Sequence, residues 1–217
     1  MDLRKACGLV AAAMLAGAAS HAEKGQWSVS LTPGFAAPVG SFARQNGNSL
    51  NVLAGLNYEV QDGYWYGLEL GYSGGHRRQG RLDGEDFDKD GSDDAVAFTS
   101  NMDTMMLHVN PVLKAGGEYT DDLRYCFIVG PGLYSFFRDA GSIILEGATT
   151  NQTSVAGRTV PVGKAANTFF GLDLGHTLGY EVSSAFEVGL DVRYHLVFMP
   201  GGPSGVVVPG FRFAFLF

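Results

Sequence analysis

From residue 27 onward, apolar and polar residues alternate one by one along most of the chain. Trp27, Val29, Leu31, Pro33 and Phe35 interleave with Ser28, Ser30, Thr32 and Gly34. A repeat of 180° per residue marks a β-strand with two unlike faces. The same phase returns in Leu50–Val60, Tyr66–Tyr72, Met105–Leu113, Leu123–Leu133, Phe170–Leu178, Phe186–Leu196 and Val207–Phe217. Eight strands are therefore predicted. His176 breaks the sixth, because it falls on the apolar face; a place near an interface is expected for it. The segments run to roughly 9–14 residues, whereas a tilted strand crosses the hydrocarbon in about 9–11 and soluble strands average about 5–6. Length favours a membrane barrel over a soluble sandwich.

The two faces set which way round the barrel is built. One is large and apolar; the other is Gly, Ser, Asn, Asp, Glu and Arg. A membrane barrel turns the apolar set outward. An eight-stranded barrel has an interior just wide enough for side chains. The 31 glycines then have a steric cause: Gly67, Gly71, Gly130, Gly132, Gly171, Gly175 and Gly189 suit a narrow lumen. Connections are expected near 36–48, 61–63, 74–101, 117–122, 139–167, 183–184 and 199–205. Long and short ones alternate, as in barrels with long outer loops and short periplasmic turns. Asp62-Gly63, Asp121-Asp122 and Ser183-Ser184 read as turns. Residues 139–167 read as a polar loop with one apolar patch, Ile143–Leu145. Aromatic residues gather at strand ends and predict two girdles. Trp27, Tyr58, Tyr64, Trp65, Tyr66, Tyr125, Tyr180, Phe186 and Phe217 belong to the periplasmic rim; Phe35, Tyr72, Phe136, Phe137, Phe169 and Phe198 belong to the outer rim.

The N-terminus reads as an address. Arg4-Lys5, an apolar run from Ala6 to Ala19 and then Ser20-His21-Ala22 match a secretory signal peptide over residues 1–22, which leaves a barrel domain over 23–217. Loss of Asp2, Arg4 and Lys5 removes a net +1 from the formal charge of -7. Cys7 leaves with the signal and Cys126 stays alone, so no internal disulfide is expected. The acidic balance argues against a nucleic-acid partner, which would require a basic face.

Four stretches carry a resemblance: Tyr125–Leu133 (YCFIVGPGL), Gly171–Gly175 (GLDLG), Gly189–Leu196 (GLDVRYHL) and Phe211–Phe217 (FRFAFLF). Together they resemble the OmpA/OmpX-like eight-stranded outer-membrane barrels, over about residues 26–217. The resemblance implies an all-β, up-and-down antiparallel barrel with long extracellular loops and short periplasmic turns. It implies a lumen plugged by salt bridges, and recognition of Phe217 by the barrel-insertion machinery. No room is left for an appended periplasmic domain, and a monomer is expected.

Candidate chemistry lies in three places. The inward face carries Glu59, Glu69, Lys114, Arg124, Asp173, Glu181, Glu187, Asp191, Arg193 and Arg212, which must pair or stay hydrated in a narrow lumen. In the second outer loop, Asp86, Asp88, Asp90, Gly91, Ser92 and Asp94 match the first half of a D-x-D-x-D-G calcium loop. Ala97 stands where that motif needs a bidentate Glu. No other cofactor is expected. Just before it, Arg77, Arg78 and Arg81 are candidates for lipopolysaccharide phosphates. His108 and His195 could act as bases, but their phase points them inward at mid-strand, away from outer-leaflet lipid. The expected role is structural and surface contact without catalysis. A narrow ion or small-solute channel, a lipid A-modifying enzyme and a soluble barrel are the alternatives.

Overall fold

The computed structural model describes residues 25–44, 47–75, 78–85, 94–100, 102–146, 157 and 159–217. The predicted signal segment lies outside the described residues. Eight antiparallel strands close a barrel: β1 (Trp27–Val39), β2 (Ser49–Gln61), β3 (Tyr64–Gly75), β6 (Thr104–Thr120), β7 (Leu123–Arg138), β10 (Ala165–Ser183), β11 (Phe186–Met199) and β12 (Gly202–Leu216). Neighbours in the wall follow chain order, and β1 pairs with β12 to seal the ring.

The alternation read from the sequence holds in the burial of the strands. Along β1, Trp27, Val29, Leu31 and Phe35 are exposed while Ser28, Ser30 and Thr32 are buried. Leu50, Val52 and Leu56 on β2, and Leu68, Leu70 and Tyr72 on β3, continue the apolar outer surface. Its polar counterpart, including Asn51, Asn57, Glu69, Ser73, Asn110 and Asp173, is buried inside. Water would pull this arrangement inside out, whereas acyl chains stabilise it, so the barrel is transmembrane.

The inward glycines are cradles. A Cβ on Gly175 would run into the Arg193 side chain, one on Gly179 into Glu187, one on Gly71 into His108, and one on Gly171 into Tyr134. Each glycine lets a large neighbour lie flat across its strand, which is how a narrow lumen accommodates an arginine and a tyrosine.

Prolines thin two ladders. Between β6 and β7 the pairing skips from Val109 opposite Leu133 to Leu113 opposite Val129, and Pro111 and Pro131 occupy the gap. The β1–β12 ladder skips residues on either side of Gly34 opposite Gly210, where Pro33 and Pro209 stand. Proline has no N–H to donate, so the missing rungs follow from the residue type.

Three expectations about the connections need correction. Residues 74–101 and 139–167 are not plain loops. They hold β4 (Arg78–Glu85), β5 (Asp94–Ser100), β8 (Gly141–Glu146) and β9 (Thr159–Val162), which form a second sheet in the order β4-β5-β8-β9. That order repeats the neighbour order of β3, β6, β7 and β10 beneath it. Arg138 opposite Ala165 in the barrel is followed, three residues along each strand, by Gly141 opposite Val162 in the extension. Half the wall thus carries on past the barrel, with Phe98, Leu145, Ile143 and Val160 packed together on it. The polar content of these stretches hid strands whose apolar residues are few. The connection at 199–205 is a tight turn at Pro200-Gly201, because Gly201 and Gly202 take φ of 92° and 120°. The β10–β11 turn is formed by Ser184 and Ala185, one residue later than predicted.

Substituting Gly175→Ala is expected to lower the unfolding free energy by about 1–3 kcal/mol through overpacking against Arg193. The urea midpoint of the barrel refolded into lipid vesicles measures this, and an unchanged midpoint would remove the cradle account.

Candidate functional site: the filled lumen

Strand β11 shows the plan of the interior. Its inward residues, from the short-turn end upward, are Glu187, Gly189, Asp191, Arg193, His195, Val197 and Met199. The lumen therefore changes from charged to aromatic to apolar along one strand, and the other strands match it layer by layer.

At the turn end, Arg124 lies 3.1 Å from Glu118 and 3.0 Å from Glu181. Arg212 pairs with Glu187. Around them is a vestibule of about 570 Å³, part of it open solvent, whose lining includes Lys114, Cys126 and Thr177. Cys126 is the free thiol among the described residues, and its Sγ donates to the Phe127 carbonyl at 3.4 Å.

The next layer centres on Arg193, which is 2% exposed. Its Nη1 donates to Glu69 Oε2 at 2.8 Å and to Asp173 Oδ2 at 2.9 Å. Its Nη2 donates to Glu69 Oε1 at 2.9 Å and Asp191 Oδ2 at 3.1 Å, and its Nε to Asp191 Oδ1 at 2.5 Å. All five guanidinium N–H groups are used, with forked contacts to both Glu69 and Asp191. Lys114 Nζ adds a second cation 2.7 Å from Glu69, Thr177 donates to Asp191 at 3.1 Å, and Asn110 donates to Asp173 at 3.3 Å. Five charged residues from β3, β6, β10 and β11 meet here, so the cluster ties opposite stretches of wall together. Burying ions is costly, and dense mutual pairing offsets it; of the six carboxylate oxygens of Glu69, Asp173 and Asp191, Asp173 Oδ1 alone accepts no hydrogen bond among the described residues.

Above the cluster lie three rings. His108 and His195 have centroids 4.5 Å apart, and Tyr134 is stacked on His108 at 5.3 Å. The Tyr134 hydroxyl is 3.1 Å from His195 Nδ1, which also stands 3.4 Å from Asp173 Oδ1. Higher still, Met106, Tyr134 and Val197 pack with Phe136, Phe169 and Met199. Phe42, from the 3-10 turn Gly40–Arg44, sets its ring edge-on to Phe136 at 5.1 Å. Phe136 and Phe169 thus cap the lumen and are not part of the outer girdle predicted for them. Strand parity explains the correction: they stand two residues from the inward Tyr134 and Gly171.

The charged residues picked out in the sequence separate into groups. Glu69, Lys114, Asp173, Asp191 and Arg193 form one cluster. Glu187 and Arg212 form a pair below it, and Arg124 binds rim carboxylates. Asn110, Thr177 and Tyr134 take part without having been named; their inward parity beside charged positions was the available signal. Of the basic outer candidates, Arg78 and Arg81 lie on β4 and Arg77 lies outside the described residues. Asp86, Asp88, Asp90 and Ser92 also lie outside them, and Asp94 opens β5.

Solved structures share this architecture. Neisserial surface protein A matches with a TM-score of 0.50 at 11% identity, covering 87% of this chain and 98% of that one. The chain has the fold of the eight-stranded outer-membrane barrels. The N-terminal barrel domain of Pseudomonas aeruginosa OprF matches at 0.46 and 13% identity (89% and 100% covered), and Yersinia pestis Ail at 0.45 and 12% (88% and 99%). No family profile matches the chain, and no curated protein sequence does.

Replacing Arg193 with Met is expected to destabilise this outer-membrane-type barrel by about 3–5 kcal/mol, since three carboxylates lose their main counter-ion. Removing Glu69 as well, in E69Q/R193M, is expected to recover part of that loss. Urea titration of the four members of the cycle in vesicles checks it; strictly additive effects would mean the pair is not coupled.

Proposed function

We propose that this chain is a non-conducting outer-membrane barrel whose extended wall serves surface contact. The carrying observation is the combination of a filled lumen with four neighbouring strands that continue beyond the apolar belt. Through-transport requires a wet path. The Arg193 cluster occupies the middle of the lumen, and Met106, Val197, Phe136 and Phe169 occupy its upper part. The extension, in contrast, projects a sheet from one half of the rim. In this reading the short turns face the periplasm and the extension faces outward, as long loops do in such barrels. Export by a cleaved leader over residues 1–22 and insertion directed by Phe217 belong to the same proposal.

The role is non-catalytic in this reading. His108 and His195 face one another beneath the aromatic cap, a layer below the level where outer-leaflet lipid could meet them. Lipopolysaccharide phosphates are proposed to meet Arg77, Arg78 and Arg81, of which the last two lie on β4. Calcium is proposed at the Asp86–Asp94 run, where alternate carboxylates can converge on a hard cation.

Two measurements test the main reading. In planar bilayers the purified protein is expected to give no unitary conductance steps; regular steps would establish the channel alternative. On intact cells, Thr159→Cys on β9 is expected to react with a membrane-impermeant maleimide while the parent protein, with Cys126 in the lumen, stays unlabelled. Labelling only after the outer membrane is broken would reverse the orientation. For the calcium site, a titration that is unchanged by Asp88→Ala would end that part of the proposal.

A further inference from the structure

The central cluster of the lumen is uneven in charge. Glu69, Asp173 and Asp191 bring three carboxylates against two cations, Arg193 and Lys114, and all five residues are buried. Arg212, lower in the lumen, is already paired with Glu187. A buried charge without a counter-charge is costly, and a carboxylate avoids that cost by taking a proton.

The hydrogen bonds show where such a proton fits. Both oxygens of Glu69, both of Asp191 and Oδ2 of Asp173 accept from Arg193, and Lys114, Thr177 and Asn110 add further donors. A proton on any of these oxygens would displace a donor. Asp173 Oδ1 is buried and accepts nothing among the described residues. His195 Nδ1 stands 3.4 Å from it, and the Tyr134 hydroxyl stands 3.1 Å from that same nitrogen. One proton between Oδ1 and Nδ1 gives the bare oxygen its partner and balances the charge of the cluster in a single step.

We propose that the lumen binds a proton at Asp173 Oδ1, shared with His195 Nδ1, and that this proton locks the plug. The charged and titratable groups facing the pair are Glu69 on β3, His108 and Lys114 on β6, Tyr134 on β7, and Asp191 and Arg193 on β11. From β1, β2 and β12 the buried side chains around this layer include Ala36, Leu53, Val206 and Val208, which do not titrate. Arg193 and Lys114 oppose a further positive charge, but Glu69 and Asp191 already match them. His108 accepts the Asn110 amide at Nδ1, 3.1 Å away, and so adds no charge. The folded lumen thus retains a proton that an unfolded aspartate gives up near about pH 4. Stability supplied by this proton is present in acid and is lost as the pH rises through the point of release.

Asp173→Asn tests the lock, because an amide reproduces the protonated acid. It is neutral, offers Arg193 an oxygen and offers His195 Nδ1 a donor. Urea titration of the full chain in lipid vesicles is to be run on the parent and on D173N. Their midpoints are expected to be similar at about pH 5. By about pH 8 the unfolding constant of the parent, divided by that of D173N, is expected to have risen at least about tenfold, the change that one bound proton gives per pH unit. Groups that titrate alike in both chains cancel from this ratio. D191N, which loses a forked contact to Arg193, is expected to be weaker than the parent at both pH values. An ordinary ion pair at Asp173 would move the ratio the other way, and that result overturns the proposal. So does a constant ratio, or a D173N chain that fails to fold, as read from the gel mobility of the unheated sample. Replacing choline chloride by sodium chloride at equal ionic strength is expected to change nothing; sodium that stabilises the parent but not D173N would put a metal cation in the proton's place and overturn it too.

Discussion

Acyl chains cannot hydrogen-bond, so every backbone N–H and C=O in the belt must find its partner within the protein. That constraint lies beneath everything else in this molecule. It demands a closed ring, which β1 and β12 complete, and eight strands make the ring narrow. Narrowness then forces the interior to be solved as a packing problem. Residues such as Gly175 and Gly171 give up their side chains so that Arg193 and Tyr134 can lie across them.

The charged cluster is a consequence of the same narrowness. With little room for water, carboxylates can be buried only against matching cations. Arg193 suits the position because its flat fork serves Glu69, Asp173 and Asp191 together, a geometry that lysine cannot reproduce. Lys114 fills the remaining corner of Glu69. The gradient along β11, from Glu187 through Arg193 to Val197, means that solvent entering the turn-end vestibule meets ion pairs first and an apolar layer after them. The residues that pair across the lumen are also the ones that fill it.

Much of the barrel was legible because its faces differ so sharply. The strand phase of Trp27–Phe35 or Leu50–Val60 follows from period two alone, and inward glycines and charges follow from that phase. The lumen residues could be named, but their grouping could not: Glu69 and Arg193 are 124 positions apart, and register alone brings them together. Phe136 and Phe169 were misplaced because an aromatic near a strand end suits a girdle or a cap equally well, and only parity tells them apart. The extension escaped notice for a different reason. Strands β4 and β9 are polar or short, and their pairing is inherited from the barrel strands below them. The alternation of Phe98 and Leu145 with their neighbours is too brief to stand out in a single sequence.

The two proline-thinned ladders have a mechanical consequence. The β1–β12 and β6–β7 seams stand on opposite sides of the eight-membered ring. A hoop with two pliant joints set across a diameter has one easy mode of deformation: it flattens into an oval. Lateral squeezing by the bilayer would thus be taken up along one axis, and the stiff arcs between the joints would shift as units.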